Sequence, residues 1–177
     1  MHRLFVAIRP PRPIRTLLLS ATGGVNGARW QSDEQLHLTL RFIGEVDRHL
    51  AQDIHAALGG IHQIPFEIAL SGVGAFERRG RPETLWVGVT PQDPLRALHK
   101  KIDQALTRVG VAPDRRVFHP HITLARLTRS AGPAHNFLSD AGCVASAPFV
   151  VDAFALYESE LTPDGPIYSA IERYKLG

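Results

Sequence analysis

The chain has 177 residues, 44% of them hydrophobic and 21% charged, with a formal net charge of +3 and a pI near 9.4. That is the make-up of a globular protein long enough for one domain with a real core or for two small lobes. A single cysteine, Cys143, excludes an internal disulfide and a thiolate-based zinc site, and no apolar run reaches the roughly 18 residues of a membrane-spanning helix. Residues 3–9 read as a buried strand by length and apolar content. Their apolar part, Leu4 to Ile8, is a strand and not the long apolar region of a secretory signal, so a cytoplasmic protein is expected. Pro10, Pro11 and Pro13 break that strand and open a helix over 13–22. A glycine-bearing loop over 23–35 carries Trp30 and leads into a strand over 36–43. Asp47 caps a helix over 48–58, which Gly59 and Gly60 end. Strands follow from Pro65 to Phe76 and over 84–90, around the basic turn Arg78-Arg79-Gly80-Arg81. Asp93-Pro94 opens the strongest helix, over 93–109, with Leu95, Leu98, Ile102, Ala105, Leu106 and Val109 on one face. A strand over 120–127, a helix over 133–141 and strands over 148–158 and 166–174 complete the chain.

These elements repeat. His37-Leu38-Thr39-Leu40 returns as His121-Ile122-Thr123-Leu124, 84 positions later, and Pro65-Phe66 returns as Pro148-Phe149, 83 positions later. The strand over 3–9 matches that over 84–90, and each proline-opened helix matches the other. An internal duplication, of approximately 3–76 and 84–158 with a closing strand over 166–174, is expected within one domain. The fold class is α+β: two pseudo-symmetric lobes, each a mostly antiparallel sheet with helices on its outer face, and a cleft between the two histidine strands.

Side chains alternate faces along a strand. His37 and Thr39 therefore share one face while Leu36, Leu38 and Leu40 point into a core, and His121 and Thr123 repeat the pattern over Ile122 and Leu124. Two histidines facing one phosphorus suit in-line cleavage of a phosphodiester. One neutral imidazole takes a proton from the attacking oxygen, and the other, protonated, gives one to the leaving oxygen. The Thr39 and Thr123 hydroxyls can bind the non-bridging phosphate oxygens. This chemistry calls for no metal or other cofactor. Taken singly, each histidine or threonine is also an ordinary strand residue; the paired register is what singles them out.

The residues quoted resemble the paired H-x-T-x motifs of the 2H phosphoesterase superfamily. The flanks, Arg3-Leu-Phe-Val-Ala-Ile, His37-Leu-Thr-Leu-Arg-Phe-Ile-Gly-Glu-Val, Phe118-His-Pro-His-Ile-Thr-Leu-Ala-Arg126 and Tyr157-Glu-Ser-Glu-Leu … Gly165-Pro-Ile-Tyr168, are similar to RNA 2′,3′-cyclic phosphodiesterases of the bacterial 2′-5′ RNA ligase group. The resemblance implies hydrolysis of an RNA 2′,3′-cyclic phosphate to a 2′-phosphomonoester, with His37 as proton donor and His121 as proton acceptor. The residues alone do not choose between those two roles, because the motifs are nearly symmetric. The expected partner is RNA with a cyclic phosphate end or a small cyclic nucleotide, with no membrane and a monomeric state. Reversible 2′-5′ ligation, action on a small nucleotide, a metalloenzyme and a noncatalytic RNA-binding module stay open.

Further candidates surround the motifs. Arg41 has the parity of His37 and is expected to line the cleft or its solvent edge. Arg126, five after His121, points away by strict alternation and reaches the cleft only where the strand bends or ends. Phe118, with Phe5, Trp30 and Tyr168, is a candidate to stack on a base, although each also suits a core. His119 shares the parity of His121 at the strand mouth, and His49, His55, His62, His99 and His135 are expected to be solvated.

Overall fold

A computed structural model describes residues 1–141 and 144–177; Cys143 lies outside the described residues. The elements run β1 (His2–Ile8), α1 (Arg12–Ser20), β2 (Ala28–Trp30), a 3-10 turn (Asp33–Gln35), β3 (Leu38–Val46), α2 (Arg48–Leu58), β4 (Phe66–Arg78), β5 (Arg81–Thr90), α3 (Asp93–Arg108), β6 (His121–Leu127), α4 (His135–Asp140), β7 (Phe149–Val151), β8 (Ala153–Thr162) and β9 (Gly165–Lys175). The architecture is α+β, and every strand pairing is antiparallel. The Asp47 carboxylate accepts from the Leu50 N–H at 2.8 Å and starts α2. Helix α3 buries Leu95, Leu98, Ile102 and Leu106 completely and packs on β3 and α2. Leu36, Leu38, Leu40, Ile122 and Leu124 all point into this core. No described helix is long and apolar enough to cross a membrane.

The strand order β7-β4-β5-β6-β3-β1-β8-β9 reads nearly the same from either end. At its middle, β3 and β6 share one ladder pair, Leu38 with Ile122, and these residues are 84 apart, the spacing of the two motifs. Farther out, Phe66 pairs with Val151 and Ile68 with Phe149, so that each pair is the image of the other at a spacing of 83. The sheet thus has an approximate twofold axis through its centre.

Three details differ from the sequence expectation. Ala7 opposes Thr39 while Trp86 opposes Thr123, so β1 and β5 correspond at a spacing of 79, and residues 3–9 match 82–88 instead of 84–90. Apolar content locates a buried strand but does not fix its register. The loop over 23–35 contains β2, whose three residues pair with β6 from Ala28–Leu127 to Trp30–Ala125; so short a strand shows no periodicity. The strand expected over 148–158 is two strands, β7 and β8, which pair with different neighbours. Because β6 turns to β2 beyond its one pair with β3, the two central strands part, and a cleft opens between them.

Candidate active site

His37 stands just before β3 and His121 opens β6. The His37 Nδ1 lies 2.7 Å from the Gln35 carbonyl oxygen, and the His121 Nδ1 lies 2.6 Å from the His119 carbonyl oxygen. A carbonyl only accepts, so in both rings Nδ1 carries the proton and Nε2 is the free lone pair. The two carbonyls occupy the same place in each half, two residues before the histidine. The Thr39 hydroxyl lies 2.9 Å from the His37 Nε2, to which it donates in this tautomer. Arg9 holds the turn that presents Gln35: its guanidinium donates to the carbonyls of Asp33 and Leu36 at 2.9 and 3.1 Å. The Gln35 side chain then ties the turn to the Pro166 carbonyl at 3.0 Å.

Aromatic rings wall both imidazoles. His37 packs 5.0 Å from Phe5 and edge-on to Tyr168 at 5.1 Å. His121 lies edge-on to Phe76 at 4.8 Å and 6.1 Å from Trp86. Trp86 fits because residue 74 is glycine; a Cβ there would stand 2.3 Å from the indole. Burial favours a neutral imidazole. It pushes His37 from 6.5 down to about 4, against the Gln35 hydrogen bond that raises it, and the Arg126, His121 and Arg9 charges act in the same direction as burial. His121 is also lowered, chiefly by burial and further by His119 and Arg126. Both rings are therefore neutral near pH 7 in the free protein.

A cleft of about 300 Å³ is lined by His37, Thr39, His121 and Thr123, together with Arg3, Arg29, Phe42, Arg126 and Tyr168. Arg126 reaches it because β6 carries a bulge. Trp86 opposes Thr123 and Leu85 opposes Ala125, which leaves Leu124 without a partner on β5 and reverses the alternation beyond it. The Arg126 guanidinium donates to the Thr84 hydroxyl at 3.3 Å. Strand β3 has the matching bulge at Leu40, since Ala7 opposes Thr39 and Val6 opposes Arg41. The carbonyl of each bulged residue finds a donor outside the regular ladder: the His99 Nδ1 at 2.7 Å for Leu40, and the Gln31 N–H at 2.8 Å for Leu124.

The bulge at Leu40 corrects the expectation for Arg41, which turns away from the cleft. Arg41 is 5% exposed, donates to Asp103 at 2.9 Å, and also bonds the carbonyls of Phe42 and Ala112. Its place in the cleft is taken by Phe42. Phe118 is likewise outside the cleft: its ring stacks on His99 at 4.2 Å, the two planes nearly parallel, and its carbonyl accepts from Arg96 at 3.0 Å. The same contacts leave His99 half-buried instead of fully solvated. Trp30 packs on Phe137 at 5.4 Å, and Phe5, 4% exposed, is a wall of the cleft too buried to stack on a base. Arg3, Arg29, Phe42, Phe76, Trp86 and Arg9 escaped the sequence reading. Phe42 alone had a signal there, being 84 before Arg126.

The family model of the 2′-5′ RNA ligase superfamily matches residues 10–163. The chain belongs to this superfamily. A relative from Aeropyrum pernix named RNA 2′,3′-cyclic phosphodiesterase is 39% identical over 146 residues, covering 81% of this chain and 83% of the relative. One of the same name from Archaeoglobus fulgidus is 32% identical over 176 residues, covering 98% and 99%. Among solved structures, a protein from Thermus thermophilus superposes with a TM-score of 0.81 at 28% identity, covering 98% of this chain and 97% of that one. Escherichia coli LigT in complex with 3′-AMP gives 0.78 at 28% identity, covering 99% and 98%. The resemblance of the paired motifs to 2H phosphoesterases thus extends over the whole ligase-superfamily fold.

Proposed function

We propose that this protein hydrolyses the 2′,3′-cyclic phosphate at an RNA end to a 2′-phosphomonoester, without a metal, in one domain built by internal duplication. The observation that carries this is the matched presentation of two Nε2 atoms to one cleft, each fixed by a carbonyl two residues upstream. The names of the relatives and the 3′-AMP complex of LigT support a nucleotide phosphate as the ligand.

The cyclic phosphate enters between the rings. The Thr39 and Thr123 hydroxyls and the Arg126 guanidinium bind its non-bridging oxygens and hold the phosphorus in line. His121 takes a proton from water as the water oxygen bonds to phosphorus. The bond from phosphorus to O3′ breaks, and His37 gives its Nε2 proton to O3′. The resting site then differs from the start by one proton moved from His37 to His121, which solvent restores. A donor that burial holds neutral must be charged by its substrate, and the negative phosphodiester beside His37 favours the imidazolium.

The test is to incubate the protein, in EDTA, with an RNA ending in a 2′,3′-cyclic phosphate and to identify the monoester formed. A 2′-phosphate is expected. No turnover would refute the activity, loss of turnover only when EDTA is present would refute metal independence, and a 3′-phosphate would reverse which bond breaks.

A further inference from the structure

The basic turn between β4 and β5 remains without a role in this chemistry. Arg78, Arg79 and Arg81 at and beside the turn, Leu127 at the end of β6 and Arg129 just past it line a groove of about 450 Å³, separate from the catalytic cleft. All four arginines are exposed. The one carboxylate among the lining residues, Glu83, lies 3.8 Å from Arg78 with both partners well exposed, too loose a pair to neutralise the groove. Among the described residues Arg79, Arg81 and Arg129 make no ion pair.

The groove joins the cleft through paired strands. Arg126 lines the cleft and opposes Thr84 across the ladder. From Thr84 the strand runs three residues to Arg81, about 10 Å at strand rise, and Arg129 follows Arg126 by three residues, just past the end of β6. On the other flank, Arg3 and Ser159 of the cleft also line a cavity with Glu45, Glu158 and Glu160. A polyanion that leaves the cleft is therefore repelled along β8 and attracted along β5 and β6. Grooves that track a single strand are built this way, with cations spaced along the path of the backbone.

We infer that this arginine groove carries the single-stranded RNA that precedes the cyclic end, so that a polynucleotide is a better substrate than a cyclic mononucleotide. The inference rests on the phosphodiesterase reading above and adds the length of the substrate to it.

The experiment compares an RNA oligonucleotide ending in a 2′,3′-cyclic phosphate with 2′,3′-cyclic CMP, in wild type and in Arg78→Gln/Arg79→Asn/Arg81→Gln. Asn suits position 79, whose φ is +54°. For single strands log K falls with log salt by roughly 0.7 per phosphate neutralised. Three lost contacts then mean that, between 50 and 200 mM salt, kcat/KM on the oligonucleotide falls roughly twentyfold less in the variant than in wild type. Turnover of cyclic CMP should be unchanged by the variant. Arg129→Gln, on the opposite wall, should repeat the effect at about a third of the slope and guards against a turn that fails to form. Equal losses on both substrates, or an unchanged salt slope on the oligonucleotide, overturn the groove. Wild type that hydrolyses cyclic CMP as well as the oligonucleotide also overturns it and leaves the activity standing. Wild type that hydrolyses neither removes the activity itself.

Discussion

Burial of the His37 ring has a consequence for stability that can be measured without any substrate. The imidazole titrates at about 6.5 when unfolded and at about 4 in the folded protein, with burial as the main cause. Below pH 6.5 the unfolded chain therefore binds a proton that the folded one refuses, so stability rises with pH across this window. Relative to pH 8, this residue costs the fold nothing at pH 7.5, about 2 kcal/mol at pH 5 and about 3 kcal/mol at pH 4. Other groups also affect stability as the pH falls, so wild type should be compared with His37→Gln, which removes only this proton. Urea unfolding at pH 8, 6, 5 and 4 gives the difference in slope, and the NMR shift of the imidazole gives the midpoint. Wild type should lose about 3 kcal/mol more than the variant between pH 8 and pH 4. Inorganic phosphate, an anion that favours the charged ring, should shrink that loss. Parallel pH profiles for the two proteins, or a midpoint at or above 6.5, would show that the ring is not held neutral by its surroundings.

Other expectations are kinetic or local. His37→Ala and His121→Ala should each lower turnover of a 2′,3′-cyclic phosphate by about 10² or more, the range of general acid–base catalysis; a rate within tenfold of wild type removes that histidine from its role. Since both rings are shifted down, kcat/KM should peak below pH 6.5, and kcat, measured with the anion bound, should peak at higher pH; a kcat/KM maximum above pH 7 contradicts this. Arg41→Ala takes the cation from Asp103, which keeps only the Asp114 N–H among the described residues, and the donor from two carbonyls, so it should destabilise by about 2–4 kcal/mol while kcat/KM stays within threefold. A large kinetic loss in a fully folded variant would return Arg41 to the cleft. Gly74→Ala forces the Trp86 ring off His121, which should cost about 1–3 kcal/mol and lower kcat; unchanged melting and turnover would show that the ring yields freely.

The motif pairs were legible because each appears twice, and chance does not repeat a spacing of 84 with the same residue types. The inward leucines and the buried stripe of α3 were legible because they follow one period throughout. Arg41 and Arg126 were not, for one reason. Alternation is counted from the histidine, and a single unpaired residue between histidine and arginine reverses the count. The leucines at 40 and 124 that form the bulges look like ordinary strand residues. The donors that stabilise their carbonyls, His99 and the Gln31 amide, come from distant parts of the chain. Phe118 failed for a related cause: its stacking partner His99 lies 19 residues earlier on another element. Arg3 and Arg29 enter the cleft only through strand pairing that no local pattern announces.

A pocket with twofold symmetry has no front or back, yet a nucleic acid strand has two unlike ends. The bulges supply the missing direction. They turn residues 42 and 126, which are 84 apart, into the cleft, and these corresponding positions hold a phenylalanine and an arginine. With the unlike walls around the two imidazoles, this difference gives the cleft two distinguishable halves, while the histidines and threonines stay rotational copies of one another.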